Sequence, residues 1–468
     1  MMKSEFKDRL RIHLFKVFVR ACYLFKTFSL LSVFCQRYVH ELHDGKPISF
    51  NPNMRVKGRT VLVLDHERFR GDVDIFSSDD RLRVLTISWG LLRYLLAAFV
   101  YEPTHKEQIS RTSPVGIRWD FAKAKPGSKI YAQRVIYRSF LRRFLPVFLA
   151  RLGVDMVMNS DFRYRREADI TMISSELGIP HVCFYREAMY IVPAYYDLAV
   201  ERHRDFGMFT GDLIAVQNPI TKRMFVESNF APAEAIRVRG CPRMDKYLSK
   251  VNLLDRATRN HRVTFFSCPK GAQLQDLTYF EFLQNTLDVV KTLTRFALEN
   301  SNIEIVIKMK DLHFDQIPKI QDAILSLGHP IETLSNVQIV TDKMAAQDLI
   351  LSSDIIIGMQ STVVLEAAVA GKAVVLPHLK NMRSRQGADQ VLMYRDMYDL
   401  FEVVDDEDGL VQLLNAFYSG DWVPSKNDPE IRRVFDAHVS SLEAGATETS
   451  INILLELCEK NKDRSYVG

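Results

Sequence analysis

Along most of the chain, short runs of β-branched and other apolar residues alternate with stretches whose apolar positions recur every three to four residues. TVLVL at 60–64, RVLTIS at 83–88, VDMVM at 154–158, HVCFY at 181–185 and DLIAV at 212–216 are runs of strand length, each followed by a loop and a helix-like segment. A further short strand is expected over 235–238, after a helix that runs to about Ser228. The series starts again at Arg262 with VTFFS and continues with IEIVI at 303–307, VQIV at 337–340, DIII at 354–357 and AVVL at 373–376. Continuous apolar runs mark strands covered on both faces, as in a parallel sheet flanked by helices. The pattern therefore predicts an α/β protein of two Rossmann-like domains facing across a cleft, with the boundary near residues 245–258, beside the polar stretch Asp255–Asn260. Three segments follow: a basic amphipathic arm over 1–57, one α/β domain over 58–250, and a second over 251–468 that includes the C-terminal helices.

Composition narrows the class. The 468 residues are 47% hydrophobic and 25% charged, which suits two buried cores and excludes a disordered or collagen-like chain. The six cysteines form no CxxC pair and are too sparse for a disulfide framework, so a reducing, cytoplasmic setting is expected. The formal charge of +5 is local: residues 1–60 hold twelve Lys/Arg against four Asp/Glu. Between Leu10 and Phe34, Ile12, Leu14, Phe15, Val17, Phe18, Val19, Tyr23, Leu24 and Phe25 are mixed with Arg11, Lys16, Arg20 and Lys26. That segment is too charged to span a bilayer or to serve as a secretion signal. Residues 1–40 either lie on an anionic membrane surface, on the inner face of the cytoplasmic membrane, or pack on the protein's own core. The stretch Arg134–Arg151, with Arg138, Arg142 and Arg143 among Phe140, Leu141, Phe144, Leu145 and Phe148, allows the same two readings. Nucleic acid is not expected as a partner, because no recognition motif accompanies the charge.

The familiar nucleotide and metal motifs are missing. No GxGxxG follows a strand and no GxxxxGK[ST] occurs, which disfavours a dinucleotide dehydrogenase and a P-loop phosphotransferase. His40-Glu41-Leu42-His43 lacks HExxH spacing, and Asp72-Val73-Asp74 is a three-residue DxD whose simpler reading is a solvated turn. Neither a metal nor a cofactor is expected. The informative stretch is SSDIIIGMQSTVVLEAAVAGKAVVLP at 352–377. A strand ends at Ile357, Gly358 permits a turn, and Gln360, Ser361 and Thr362 open a helix expected to run to about Ala370. Unpaired amides at such a helix start suit a phosphate without a metal, and Glu366, one turn on, is placed to accept hydrogen bonds from ribose hydroxyls.

This stretch resembles the nucleotide-binding turn of GT-B-fold glycosyltransferases and of the related non-hydrolysing UDP-N-acetylglucosamine 2-epimerases. DLIAVQNPITKRMFVESNFAPAEAIRVRGCPRMD at 212–245 is similar to the passage that closes the N-terminal domain in the same superfamily, with Gly240, Pro242 and Arg243 after a strand. Together the two segments cover about an eighth of the chain. The resemblance implies a nucleotide-sugar donor on the C-terminal domain, held by Gly358, Gln360, Ser361, Thr362, Glu366, Lys270, Lys308 and Arg243. Lys270 lies in Ser267-Cys268-Pro269-Lys270-Gly271; after Lys308-Met309-Lys310, the His-Pro found in similar proteins is replaced by Asp311-Leu312-His313. It also implies an acceptor on the N-terminal domain. There Glu187 would be the base, its pKa raised by partial burial, or Asp161 the base or nucleophile, with Arg186 and His66 contacting the acceptor. His378, after AVVLP, is placed to meet donor or water.

The function so implied is metal-independent transfer of a sugar from a nucleotide donor to a surface polysaccharide or lipid-linked glycan. The alternatives are a sugar-nucleotide 2-epimerase, a transferase of the CDP-glycerol glycerophosphotransferase kind that moves a polyol phosphate from a CDP-alcohol, and a nucleotide-binding scaffold without turnover.

Overall fold

In a computed structural model the expected strands pair into two separate main sheets. The chain divides into two compact units, Met1–Ala188 with Val200–Arg243 and Gly445–Gly468, and Met189–Ala199 with Met244–Ala444. The structure describes the whole chain apart from residues 1, 52–57, 70, 101–120, 122–123, 189, 255–258, 269–271, 275–277, 281, 311–314, 341–343, 423–428, 444 and 465–468. Most of the polar stretch expected at the boundary, together with Lys270 and the Asp311–His313 segment, therefore lies outside the described residues.

In the first unit a hairpin, β1 (Val39–His43) and β2 (Lys46–Ser49), precedes six parallel strands. These are β3 (Arg59–Leu64), β4 (Leu82–Ile87), β5 (Met156–Asn159), β6 (His181–Phe184), β7 (Leu213–Val216) and β8 (Ile236–Val238). The sheet order is β2-β1-β4-β3-β5-β6-β7-β8. The hairpin turns on Asp44-Gly45, with φ of 49° and 74°, the left-handed pair that a two-residue turn requires. β1 then runs antiparallel to β4, Val39 facing Ile87. So residues 1–57 are not a separate arm. The helices Met2–Leu24 and Phe28–Gln36 bury Phe15, Val19, Cys22, Leu31 and Cys35 in the same core as β3 and β4. A short edge hairpin with a fully exposed β2 offers too few apolar positions to register as strands in the sequence.

The basic stretch Arg134–Arg151 lies inside the helix Lys129–Leu152, where Tyr137, Phe140, Leu141, Phe144, Phe148 and Leu152 are buried. Phe140, Phe144 and Phe148 stack along one face at the four-residue helical repeat, with centroids 5.2 and 5.1 Å apart. Two of its arginines are turned inward and paired, while Arg142, Arg143 and Arg151 stay on the exposed face. Arg134 donates to both oxygens of Asp169, at 2.6 and 3.1 Å, and Arg138 Nε donates to Oδ1 at 2.8 Å. The membrane reading of this stretch therefore gives way to core packing. Among the described residues no helix is long and apolar enough to cross a membrane.

The second unit has six parallel strands: β9 (Arg262–Phe266), then, after a small hairpin of β10 (Ala272–Leu274) and β11 (Thr278–Phe280), β12 (Glu304–Lys308), β13 (Val337–Val340), β14 (Ile355–Gly358), β15 (Ala373–Leu376) and β16 (Glu402–Val403). Their order is β13-β12-β9-β14-β15-β16. Counted along the six, this is 3-2-1-4-5-6, the doubly wound order whose direction reverses between the first and fourth strands. The last helix, Ala446–Arg464, does not join this unit as the sequence reading expected. It places Ile451, Leu454 and Cys458 in the core of the first unit, with Val61, Met156 and Phe184. An amphipathic helix follows whichever apolar face is uncovered, and sequence order does not choose it.

Asp169 is wholly buried, so Asp169→Ala leaves buried Arg134 without its counter-charge. The expected loss is about 3–5 kcal/mol, against less than about 1 kcal/mol for Glu176→Ala, which frees the exposed Arg142. Urea unfolding of both variants measures the difference.

Candidate functional site

In doubly wound sheets ligands gather beyond the carboxyl ends of the strands, where the order reverses. In the second unit that point lies between β9 and β14, which pair in register from Ile355 with Val263 to Gly358 with Phe266. A Cβ on Gly358 would come within 3.2 Å of Val364 Cγ2, so the glycine lets the helix Val363–Val369 pack closely over the strand end. Gln360, Ser361 and Thr362 are half-buried at this edge. The helix begins at Val363, with Thr362 as its cap residue, and has seven residues.

Hydrogen bonds from several segments brace the turn. Gln360 Nε2 donates to Val391 O at 3.1 Å, and the Tyr394 hydroxyl donates to Ser361 O at 2.6 Å. Glu366 is not the open ribose acceptor expected from its position. It is 2% exposed, and its two carboxylate oxygens accept from Thr362 Oγ1 at 2.7 Å and Gln347 Nε2 at 2.8 Å. Its side chain braces the helix start. Lys308, at the end of β12, is buried, with Nζ donating to Met309 O at 3.4 Å. Its backbone carbonyl accepts from Ser267 N and Oγ, at 3.1 and 3.0 Å, which ties the ends of β9 and β12 together. His378 is wholly buried rather than facing donor or water. Burial lowers its pKa to about 3, and Nδ1 lies 2.7 Å from the Tyr398 hydroxyl.

The first unit has its own cluster at the carboxyl ends of β3 and β5. Asp65 follows β3 with φ of 56°, a strained backbone for a non-glycine residue, and is 4% exposed. Its Oδ2 accepts from Arg68 Nε at 3.1 Å, while burial raises its pKa. Glu167 is 2% exposed and Oε2 has no partner. Burial, then the neighbouring charges of Asp65 and Asp161, push its pKa well above the ordinary carboxylate range. The guanidinium of Arg68 lies 4.8 Å from the Tyr164 ring centre. Arg186 donates from Nη1 to Arg68 O, and His66 Nδ1 lies 3.0 Å from Thr86 Oγ1. His66 and Arg186 thus do reach the same strand ends.

The two expected catalytic carboxylates differ sharply. Asp161 is 2% exposed and accepts from Arg163 Nε at 2.8 and 3.0 Å and from Arg163 N at 2.8 Å. That geometry anchors a turn and leaves no free base or nucleophile. The Glu187 side chain is 54% exposed, so the partial burial expected of it is not found; Arg186 Nη2 lies 3.3 Å from its Oε1. Arg243 belongs to the first unit, where Nη1 pairs with buried Asp72 at 3.2 Å, beside the buried Arg239 guanidinium at 3.5 Å. This also occupies the first aspartate of the DxD pattern. Among the described residues no group of three or more His, Cys, Asp or Glu is placed to hold a metal ion.

Sequence reasoning missed Asp65 and Glu167. Asp65 had a signal, a carboxylate immediately after TVLVL. Glu167 sits in RYRREAD, where a glutamate among arginines reads as solvated, and only the fold turns it under the strand ends.

No family model matches the chain, and no curated protein matches it. Solved structures do. The UDP-GlcNAc 2-epimerase of Neisseria meningitidis bound to UDP-GlcNAc is 12% identical, with 85% of this chain and 100% of that chain covered and a TM-score of 0.42. MurG of Acinetobacter baumannii is 12% identical over 85% and 99% of the two chains, with a TM-score of 0.44. HepE of Anabaena, in complex with UDP and glucose, is 13% identical over 86% and 100%, with a TM-score of 0.39.

The raised pKa of Glu167 has a thermodynamic signature. Its folded pKa is raised, so above the ordinary value of 4.5 the unfolded chain releases a proton that the folded protein keeps. Stability falls as pH rises through that window, by up to about 1.4 kcal/mol per pH unit. Glu167→Gln should remove this slope in urea unfolding between pH 4 and 8; parallel curves for the two proteins would contradict the assignment.

Proposed function

We propose that the chain is a GT-B-type glycosyltransferase that moves a sugar from a nucleotide-activated donor to a glycan acceptor. One observation carries the reading. The segment whose residue order resembles the superfamily's nucleotide turn falls beyond β14, the strand beside β9 where the sheet order reverses. The sheet order reverses beside the turn that carries the resemblance, Gly358 to Thr362, and this supports the reading. In this reading the second unit takes the donor through Gln360, Ser361 and Thr362. The acceptor belongs to the carboxyl ends of β3, β5 and β6 in the first unit, where Asp65, His66, Glu167, Arg186 and Glu187 supply acid, base and charge.

The chemistry then has two requirements. The departing nucleotide gathers negative charge and needs hydrogen-bond donors or cations in place. The acceptor hydroxyl needs a carboxylate to take its proton; Glu187, exposed and ionisable, suits this better than Asp161, whose oxygens are held by Arg163. A lipid-linked acceptor is supported by the first two helices. Leu24, Phe25 and Leu30 are 73%, 77% and 57% exposed, in a segment that also carries Lys16, Lys26 and Arg37. Apolar side chains edged by cations suit an anionic leaflet.

Thermal shift against UDP, GDP, CMP, CDP and dTDP should single out one base by raising the apparent stability. Glu187→Ala should keep that shift and lose turnover by about 10² or more. Consumption of donor without acceptor would instead favour the epimerase, and CMP released with transfer of a polyol phosphate would favour the CDP-alcohol reaction. If none of the nucleotides binds, the donor assignment is wrong.

A further inference from the structure

Beyond β15 the second unit carries a basic pocket of about 290 Å³, lined by Lys380, Arg383, Ser384, Leu392, Arg395 and Tyr398. Its lining holds three cations and two hydroxyls but no carboxylate. Arg383 is neutralised by an ion pair with Asp405. Among the described residues neither Lys380 nor Arg395 has a carboxylate partner, so the pocket keeps an excess of two positive charges.

Hydrogen-bond accounting gives the hydroxyl of Tyr398 a direction. Its oxygen lies 2.7 Å from Nδ1 of His378, a wholly buried ring whose Nε2 has no partner. Desolvation keeps this imidazole neutral, with one N–H to place. An orphaned buried N–H is rarer and costlier than an orphaned lone pair. The proton is therefore assigned to Nδ1, which donates to the Tyr398 oxygen, as Arg383 also does. The O–H of Tyr398 remains to donate outward. Lys380, Arg395 and Tyr398 then all offer hydrogens, a set matched by an anion with several acceptor oxygens.

The pocket is also joined to the turn after β14. Val391, next to Leu392, accepts from Gln360, and Tyr394, next to Arg395, donates to Ser361 O. These two hydrogen bonds hold the segments that carry Leu392 and Arg395 against that turn.

We propose that this pocket seats a phosphoryl group and, resting on the donor reading above, that the group is the diphosphate of the activated sugar. Isothermal titration of full-length protein with pyrophosphate, with the best nucleoside diphosphate and with its parent nucleoside tests this. Lys380→Gln, Arg395→Gln and Tyr398→Phe are the test variants, and Lys319→Gln, on an exposed helix of the same unit, is the charge control. Pyrophosphate and nucleotide should bind wild type and control alike, and bind Lys380→Gln and Arg395→Gln at least about tenfold more weakly. Tyr398→Phe should show a smaller loss, and the nucleoside should be indifferent to all three. If pyrophosphate obeys this pattern while no nucleotide binds wild type, the phosphoryl seat stands and the donor reading falls. If nucleotide binds wild type and every variant equally, the seat is overturned while the donor reading survives. Pyrophosphate that fails to bind, or binds all variants equally, also overturns the seat.

Discussion

The pairing of β9 with β12 on one side and β14 on the other is the constraint on which the second unit depends. In register from Val263 to Phe265, β9 bonds to Ile305–Ile307 and to Ile355–Ile357, so its backbone polar groups are satisfied between two apolar neighbours. Strands so placed are mostly apolar on both faces, and the buried Thr264 of β9 is satisfied by Ser353 Oγ at 2.7 Å. Parallel pairing also sends every connection back across a face and returns the chain to the same end. All the strand-to-helix turns therefore collect at one edge. The reversal of order at β9 and β14 leaves room there, and Gly358 lets the following helix settle against the strand.

A second theme is how much of the conspicuous charge is used internally. Arg134 and Arg138 close on Asp169, Arg83 meets Glu41 at 2.7 Å with both side chains buried, Arg243 and Arg239 close on Asp72, and Arg163 closes on Asp161. Each pair joins elements of the first unit or stiffens a turn, and each removes residues that look reactive from the pool available to substrate. Breaking such a pair is costly because the remaining charge stays desolvated. What is left is informative by contrast. Glu167 has a raised pKa and an unbonded oxygen, Asp65 sits on a strained backbone, and among the described residues Lys380 and Arg395 have no carboxylate partner.

The sequence by itself determined the rhythm of the molecule. Continuous apolar runs placed the parallel strands from β3 to β15, because a strand covered on both faces is written mostly in apolar residues; the β10–β11 hairpin and β16 were not foreseen. The turn at Gly358 was legible from the glycine itself, and a side chain there would crowd Val364, whose Cγ2 would lie 3.2 Å from an added Cβ. The β1–β2 hairpin was not legible, since an edge ribbon with an exposed strand leaves almost no apolar signature.

Tertiary structure decided the rest. Whether an amphipathic helix meets lipid or core depends on what lies opposite, which is why the phenylalanine face of Arg134–Arg151 packs on the core while Leu24 and Phe25 stay exposed. Whether a carboxylate is a base, a brace or a protonated acid depends on its neighbours and on water. Glu366, Asp161, Glu187 and Glu167 carry the same functional group in four different electrostatic settings. Local residue order sets the period of burial, but solvation and counter-charge are properties of groups far apart in the chain, and folding alone brings those groups together.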